Sequence, residues 1–296
     1  MRKLTVSGSP VSEIEVFEWK NGDGPKVVIT GAIHGNEQTG VHAARLLMKS
    51  LEKSEVTGHI KVIPVVNTTA YYHRQRTSPF DDLDMNRIFP GTGTGTLSLR
   101  TAAAIWEETA DAEYIVDLHC CGLRGSTYTL ADYENFPELK ELCVAIGMPV
   151  VCQTGGADGQ LYLESCRRRN QKAFIIELPG GQPGGVIDME WAELCADRLF
   201  NYLKHIKAVK GDYEAPSPET VFCDKMDRVN AKEEGLFVPA VAPGDFLKKG
   251  DLLGSLEVAG NVTEFRAPDD IRVVSISMPK YVFIGESIFG FMPVKK

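Results

Sequence analysis

Positive charge is in short supply in this chain of 296 residues: 32 Lys and Arg stand against 40 Asp and Glu, a formal net charge of −8. Such a surface repels the phosphate backbone and anionic lipid, so neither nucleic acid nor membrane is an expected partner. Long apolar runs are missing too. Nowhere do about 18 apolar residues follow one another, which argues against a membrane-spanning helix, and the opening MRKLTVSGSPVSEIEVFEWK lacks the apolar stretch of a secretory signal. A soluble, cytoplasmic protein is the expectation. The chain has no Cys-x-x-Cys pair, and its seven cysteines (120, 121, 143, 152, 166, 195 and 223) form no even framework. That excludes a zinc ribbon and a disulfide scaffold and leaves reduced, mostly buried thiols. A hydrophobic fraction of 43% with 28 glycines excludes disordered and collagen-like chains.

What is present alternates between two periods. Lys26-Val-Val-Ile-Thr-Gly-Ala-Ile-His34 is a continuous apolar run entering glycine, suited to a strand covered on both faces. Residues 40–53 follow with apolar positions at helical spacing and lysine near the end. The same reasoning predicts strands over 60–66, 114–118 and 173–178 and helices over 97–110, 137–146 and 188–206. Strands alternating with helices predict a mixed, mostly parallel α/β sheet with helices on both faces. The segment KAVKGDYEAPSPET, rich in charge and proline, predicts a linker over 207–219 between a catalytic domain (1–206) and a carboxy-terminal domain (220–296). The latter has short apolar segments cut by Pro-Gly, Lys-Gly and Gly-Asn turns, which reads as a small all-β module. Its turns resemble the barrel-sandwich of biotinyl and lipoyl domains. Residues 251–279 contain no lysine to carry such a cofactor, so the likeness is architectural only.

Chemistry concentrates where the predicted strands end. His34-Gly-Asn-Glu37, on a strand-to-helix turn, is able to aim one imidazole and one carboxylate at a single ion. His119, at the end of the apolar Ile115-Val-Asp-Leu-His strand, completes a His, Glu, His set with one position open, the pattern of a catalytic zinc. Asp117, two residues earlier on the same strand face, is a candidate for orienting a ligand, or else a polar residue satisfied near the sheet edge. Glu177 stands inside the apolar Phe174-Ile-Ile-Glu-Leu strand. Burial raises the pKa of a carboxylate there, which suits a general base; pairing with an arginine is the alternative. Arg74, Arg76, Asn86 and Arg87 fall between the two ligand segments and suggest a pocket for an anionic substrate, because guanidinium binds carboxylate through two parallel hydrogen bonds. Arg167, Arg168 and Arg169 form a second cationic run that also fits a solvated helix face.

Taken together, these motifs resemble the aspartoacylase and succinylglutamate desuccinylase family, a branch of the zinc carboxypeptidase fold. The shared elements are His34-Gly-Asn-Glu37-x-x-Gly, Asn67 with Arg76 nine residues on, Asp84-x-Asn86-Arg87-x-Phe-Pro-Gly, Asp117-Leu-His119, and Glu177 followed by Gln182-Pro183-x-Gly185-Val186. The resemblance spans about residues 25–205 and is weaker through the β module. It implies one zinc per chain on His34, Glu37 and His119, with Glu177 as base and acid. It further implies that Arg76 polarises the acyl carbonyl, that Asn86 and Arg87 bind a substrate carboxylate, and that Arg167, ten residues before Glu177, makes a second carboxylate contact. The implied substrate is a small N-acylated amino acid with a free carboxylate, cleaved at its amide bond. A carboxypeptidase acting on short peptides and a metal-binding protein without turnover are the alternatives. A homo-oligomer is compatible with the sequence. Asn67-Thr68 and Cys120-Cys121-Gly122 depart from the family pattern, and isoleucine and phenylalanine occupy the late segment where the family supplies a tyrosine, so N-acetylaspartate itself is not implied.

Overall fold

The computed structural model describes residues 1–217 and 220–295. Two strands that the periodicity did not announce open the chain: β1 (Arg2–Val6) and β2 (Ser12–Lys20) pair antiparallel. The elements that follow are β3 (Lys26–Gly31), α1 (Gln38–Leu51), β4 (His59–Ile63), the short α2 (Thr68–His73), α3 (Leu97–Glu108), β5 (Tyr114–Cys120) and β6 (Tyr128–Ala131). Then come α4 (Glu138–Ile146), β7 (Val150–Gln153), α5 (Leu161–Arg169), β8 (Lys172–Leu178), the two-residue strands β9 (Gly180–Gly181) and β10 (Val186–Ile187), and α6 (Met189–His205). The strand expected over 60–66 stops at Ile63, because Pro64 has no N–H to give to a ladder.

A nine-stranded sheet carries the order β1-β2-β4-β3-β5-β8-β6-β7 and ends in β11 (Val221–Cys223). The inner pairs β4 with β3, β3 with β5 and β5 with β8 are parallel, while β6 runs antiparallel to β8. β3 and β5 sit at the centre, which is why their sequences are apolar without alternation: after Lys26 every residue of β3 is buried. α1 and α6 cover one face, with Tyr202 of α6 edge-on to Phe174 at 5.8 Å between ring centroids. α5 packs on β8 and β5, and its last residue reaches α3, where the Arg169 guanidinium lies 3.8 Å above the Trp106 ring. None of the described helices is long and apolar enough to cross a membrane, and all seven cysteines are free thiols.

The expected boundary at residue 220 is crossed by the sheet, since β11 adds in parallel to β7. The linker expected over 207–219 is packed rather than loose: Ala208 is buried, Val209 bridges Val56, and the Tyr213 ring lies 4.6 Å from that of His205. Pro218 and Glu219, also within that expected linker, lie outside the described residues. Beyond them stand β12 (Asp227–Asn230), β13 (Gly235–Pro239), β14 (Phe246–Leu247), β15 (Leu252–Val258), β16 (Asn261–Arg266), β17 (Ile271–Ile276), β18 (Lys280–Val282) and β19 (Ser287–Pro293). They form two four-stranded antiparallel sheets, β12-β19-β17-β14 and β16-β15-β13-β18, closed over Phe237, Leu256, Val273 and Phe289. This is the all-β module the turn pattern implies. It docks on the loop after β5: Ser126 N donates to Val274 O at 2.8 Å, and Gly125 bridges Ser275.

Phe174 is fully buried between β5 and α6. Phe174→Ala is expected to cost about 3–5 kcal/mol of unfolding free energy, read from urea denaturation with a parallel loss of cooperativity if the sheet loosens.

Candidate active site

The site is built on parallel-strand register. Adjacent strands point registered side chains to the same face, so His119 of β5, Glu177 of β8 and Tyr128 of β6 form one row across three strands. Two residues back along β5 and β8 a second row runs Thr30, Asp117, Ile175, Leu130 and Cys152. The remaining residues come from the turn after β3. Gly35 there is obligatory, since a Cβ would lie 2.0 Å from the Ala70 carbonyl carbon of α2. Asn67 ties this turn down: its N–H donates to Ala32 O at 2.9 Å, and its Oδ1 caps α2 by accepting from Ala70 N. Glu37 occupies the N-cap position of α1 but makes no capping bond, because its carboxylate turns to the histidines.

His34, Glu37 and His119 are all buried, and their candidate ligand atoms lie within 4.8 Å of one another. His34 Nδ1 is 2.9 Å from Glu37 Oε1 and His119 Nδ1 is 2.8 Å from Glu37 Oε2, while the two Nδ1 atoms are 3.2 Å apart. The other ring nitrogens are committed. His34 Nε2 donates to Asp84 Oδ1 at 2.9 Å and His119 Nε2 donates to Asp117 Oδ2 at 2.8 Å. With both Nε2 atoms holding protons, each neutral ring offers its Nδ1 lone pair to the same point as the Glu37 carboxylate. Two imidazole nitrogens and one carboxylate, each held by a further carboxylate or backbone donor, suit a divalent cation of borderline softness. Cys120 N donates to Glu37 Oε2 at 3.0 Å, and Thr30 Oγ1 donates to Asp117 Oδ1 at 2.7 Å.

The protonation pattern expresses the same demand for positive charge. Burial alone would lower both histidines, but Glu37 with Asp84 raises His34, and Asp117 with Glu37 raises His119 well above the ordinary imidazole range. Burial alone would raise Glu37, yet the two facing histidines hold it well below the usual carboxylate range. Asp84 is held low in the same way by His34 and Arg76. Glu177 behaves oppositely. Burial pushes it up to about 7, Glu37 adds to the effect, and His119, His34 and Arg76 offset part of it. Among the described residues its carboxylate has no hydrogen bond or ion pair, so the arginine partner considered from the sequence is absent and the group faces the cavity.

That cavity encloses about 740 Å³ beside the ligand set and is lined by Arg76, Asn86, Arg87, Tyr128 and Glu177 together with residues of the β module. Arg76 places two nitrogens on Asp84 Oδ2, at 3.2 and 2.9 Å, and reaches Glu37 Oε1 at 3.4 Å. Arg87 is exposed to the cavity and donates only to the Asn86 carbonyl, at 2.7 Å. Asn86 is 2% exposed and already engaged, its Oδ1 accepting from Leu161 N at 3.0 Å and its Nδ2 lying 3.3 Å from His119 Nε2. Its hydrogen bond therefore fixes the start of α5, with the amide packed beside the His119 ring. Arg167 is the predicted site residue that the structure does not bring to the cavity: its Nη1 is 2.9 Å from Asp158 and its Nη2 3.4 Å from Gly155 O, which ties down the loop before α5. Arg168 pairs with Glu164 along the helix, and Arg74, expected with the anionic pocket, ends α2 in a left-handed conformation.

The roles of Asp84 and Tyr128, and of Lys225, Met226 and Arg228 in the cavity wall, were not assigned from sequence. For Asp84 a signal exists, because a buried ligand histidine requires an acceptor at its second nitrogen. For the others the signal is long-range packing, which no local pattern carries.

A mixed, mostly parallel sheet with a convergent His, Glu, His set at its strand ends and a β module in the cavity wall defines an α/β protein with a candidate metal centre at its sheet edge. The chain belongs to the succinylglutamate desuccinylase/aspartoacylase family, whose catalytic domain matches residues 23–206. It is 27% identical over 289 residues to the N-alpha-acetyl-L-2,4-diaminobutyric acid deacetylase of Halomonas elongata, covering 93% of this chain and 84% of that protein. The product-bound structure of the ectoine utilization protein EutE (DoeB) from Ruegeria pomeroyi superposes with a TM-score of 0.81 at 26% identity, over 96% of this chain and 90% of that one. A succinylglutamate desuccinylase/aspartoacylase from Rhodobacter sphaeroides gives 0.79 at 26% identity, with the same coverage.

The raised His34 and His119 make a specific prediction. Glu37, Asp84 and Asp117 favour the protonated form of both rings without a metal, so cation binding releases protons and affinity rises with pH. Calorimetry in two buffers of different ionisation enthalpy measures the release. His34→Ala and His119→Ala are expected to lose stoichiometric metal, and Asp84→Asn or Asp117→Asn to weaken it about 10- to 100-fold.

Proposed function

We propose that the protein is a zinc-dependent amidohydrolase that removes the acyl group from a small N-acyl amino acid carrying a free carboxylate. The observation that carries this reading is the pairing of a complete His34, Glu37, His119 donor set with a neighbouring Glu177 that has no partner and a pKa near neutrality. Deacylation is the activity named for the Halomonas elongata and Rhodobacter sphaeroides relatives. A cavity of about 740 Å³ with the β module in its wall suits a small molecule better than an extended peptide.

A divalent cation held by His34, Glu37 and His119 supplies Lewis acidity toward a carbonyl oxygen and toward water. The rest of the work falls to the chain's own groups. Glu177, in register with His119, takes a proton from the attacking water at its carboxylate oxygen and delivers it to the nitrogen of the leaving amine. Arg76, fixed by Asp84 beside Glu37, directs its positive charge at the acyl oxygen as negative charge develops there. Arg87 holds the substrate carboxylate, and Asn86 keeps the start of α5 in place while it does so. Arg167 acts at a distance, by anchoring the loop that precedes α5.

Glu177 functions as a base only when ionised. Its pKa is raised to about 7 in the metal-free protein, so kcat/KM rises with pH along an acid limb, and a bound cation moves that limb below 7. Glu177→Gln should keep metal and fold, lose the limb, and fall by about 10²–10⁴-fold in turnover. A variant within a few-fold of wild type removes the assignment. For Arg87, amidated substrates should react at least about tenfold more slowly than free acids, because the amide leaves the guanidinium without its anion. Equal rates return Arg87 to a structural role.

A further inference from the structure

Apolar surface is left uncovered at one edge of the β module. Met278, Tyr281, Phe283 and Ile284, on β18 and the residues flanking it, are 56%, 74%, 59% and 68% exposed. Between them Val282 turns inward and packs in the module core, while its neighbours Tyr281 and Phe283 face solvent. The turn that follows is tied by backbone hydrogen bonds, Glu286 N to Phe283 O at 3.0 Å and Gly285 N to Ala231 O at 2.9 Å, so the apolar side chains are held outward. β18 is the end strand of the sheet β16-β15-β13-β18 and pairs with β13 on one side. Among the described residues no strand pairs with its other side.

An exposed apolar edge strand is normally guarded by charge or by proline. Pro279 blocks this edge only at its start, ahead of residues 280–282. The one charge within β18, Lys280, is taken up by Glu286 at 2.7 Å, which leaves the patch neutral. At roughly 150–200 Å² per large side chain, four residues exposed by more than half present on the order of 400–500 Å² of apolar surface. A standard interface covers about 800 Å² per partner, about 65% of it apolar in homodimers. The patch thus supplies most of the apolar area that one side of a stable dimer needs. An anionic lipid surface is a poorer match, since lipid binding requires cations around the apolar groups, whereas this chain carries a net charge of −8 and its patch lysine is paired. A second copy needs no surplus charge. With Tyr281 at its centre, β18 is able to pair antiparallel with itself about a two-fold axis.

We propose that β18 and residues 278–284 form a homodimer interface, in which two copies of β18 pair edge to edge about a two-fold axis at Tyr281 and join their four-stranded sheets. Met278, Phe283 and Ile284 of each copy cover one another across that axis. The interface begins three residues after Ser275, which lines the cavity with Val274, so pairing steadies the wall that the β module gives to the site. The dimer stands or falls independently of the deacylase reading.

Sedimentation velocity over a hundredfold range of concentration, up to about 100 μM, measures the dimer and its dissociation constant. Wild type should sediment at twice the mass of the chain. Tyr281→Glu places like charges against each other at the axis and should weaken the dimer at least about hundredfold. The double variant Phe283→Ser, Ile284→Ser should also sediment as a monomer. These are surface positions, so both variants should keep the wild-type Tm. Val262→Glu, exposed on β16 at the opposite edge of the same sheet, should leave the dimer unchanged. Under oxygen with copper phenanthroline, Tyr281→Cys should form a disulfide between two chains, and wild type and Val262→Cys should not. A wild type that stays monomeric throughout the range overturns the proposal, as does a dimer that survives Tyr281→Glu and the double variant. A monomeric wild type that floats with phosphatidylglycerol vesicles, and loses this with Tyr281→Glu, assigns the patch to a lipid surface instead.

Discussion

One carboxylate held between two imidazoles organises this protein. Glu37 lies within hydrogen-bonding distance of Nδ1 on both His34 and His119, and those nitrogens are 3.2 Å from each other. Three electron-rich groups at that spacing are stable only with positive charge among them, whether as protons or as a cation. The surrounding polar groups keep the arrangement from relaxing. Asp84 and Asp117 hold the outer nitrogens, Thr30 holds Asp117, Cys120 N holds Glu37, and Asn67 holds the turn from which His34 projects.

Such a cluster needs a rigid base, and the parallel centre of the sheet provides it. β3 and β5 lie side by side, so the turn after one and the last residues of the other arrive together at the same sheet edge. The next strand places Glu177 in register with His119. His119 and Glu177 are thus separated by one strand spacing, about 4.8 Å between backbones. The same register puts Tyr128 beyond Glu177 and gives the apolar floor of Ile175, Leu130 and Cys152. The β module closes what the sheet leaves open. Its contact through Ser126, Gly125 and Ser275 lies on the loop immediately after the His119 strand, so the wall bearing Lys225 and Arg228 is referenced to His119 by a short path.

Electrostatically the site inverts the surface. A chain of net charge −8 builds a cavity in which cations outnumber carboxylates. Two of the three arginines in the 167–169 run turn out to do ordinary structural work, Arg168 against Glu164 and Arg169 over Trp106, while Arg167 secures a loop. Position in the sequence relative to Glu177 did not identify which cation faces substrate.

The sequence by itself determined the central sheet, the order of its helices, the β character of the carboxy-terminal third and the grouping of His34, Glu37, His119 and Glu177 at the strand ends around one cavity. Those features are local: a buried strand must be continuously apolar, a helix must repeat at 3.6 residues, and a carboxylate or histidine at a strand end stands out against that background. Tertiary structure alone decided the rest. β1 and β2 gain stability from a pairing partner and from packing on α3 rather than from their own pattern, and β6, β7 and β11 are too short to announce themselves. Arg167 has the spacing of a substrate contact but points to Asp158, since a helical side chain goes where its face is turned. Lys225 and Arg228 sit about a hundred residues from His119, in the stretch before β12 and in β12 itself, with no distinctive local pattern. Their place in the cavity wall follows from how one sheet docks on another, and that is a property of the assembled surfaces.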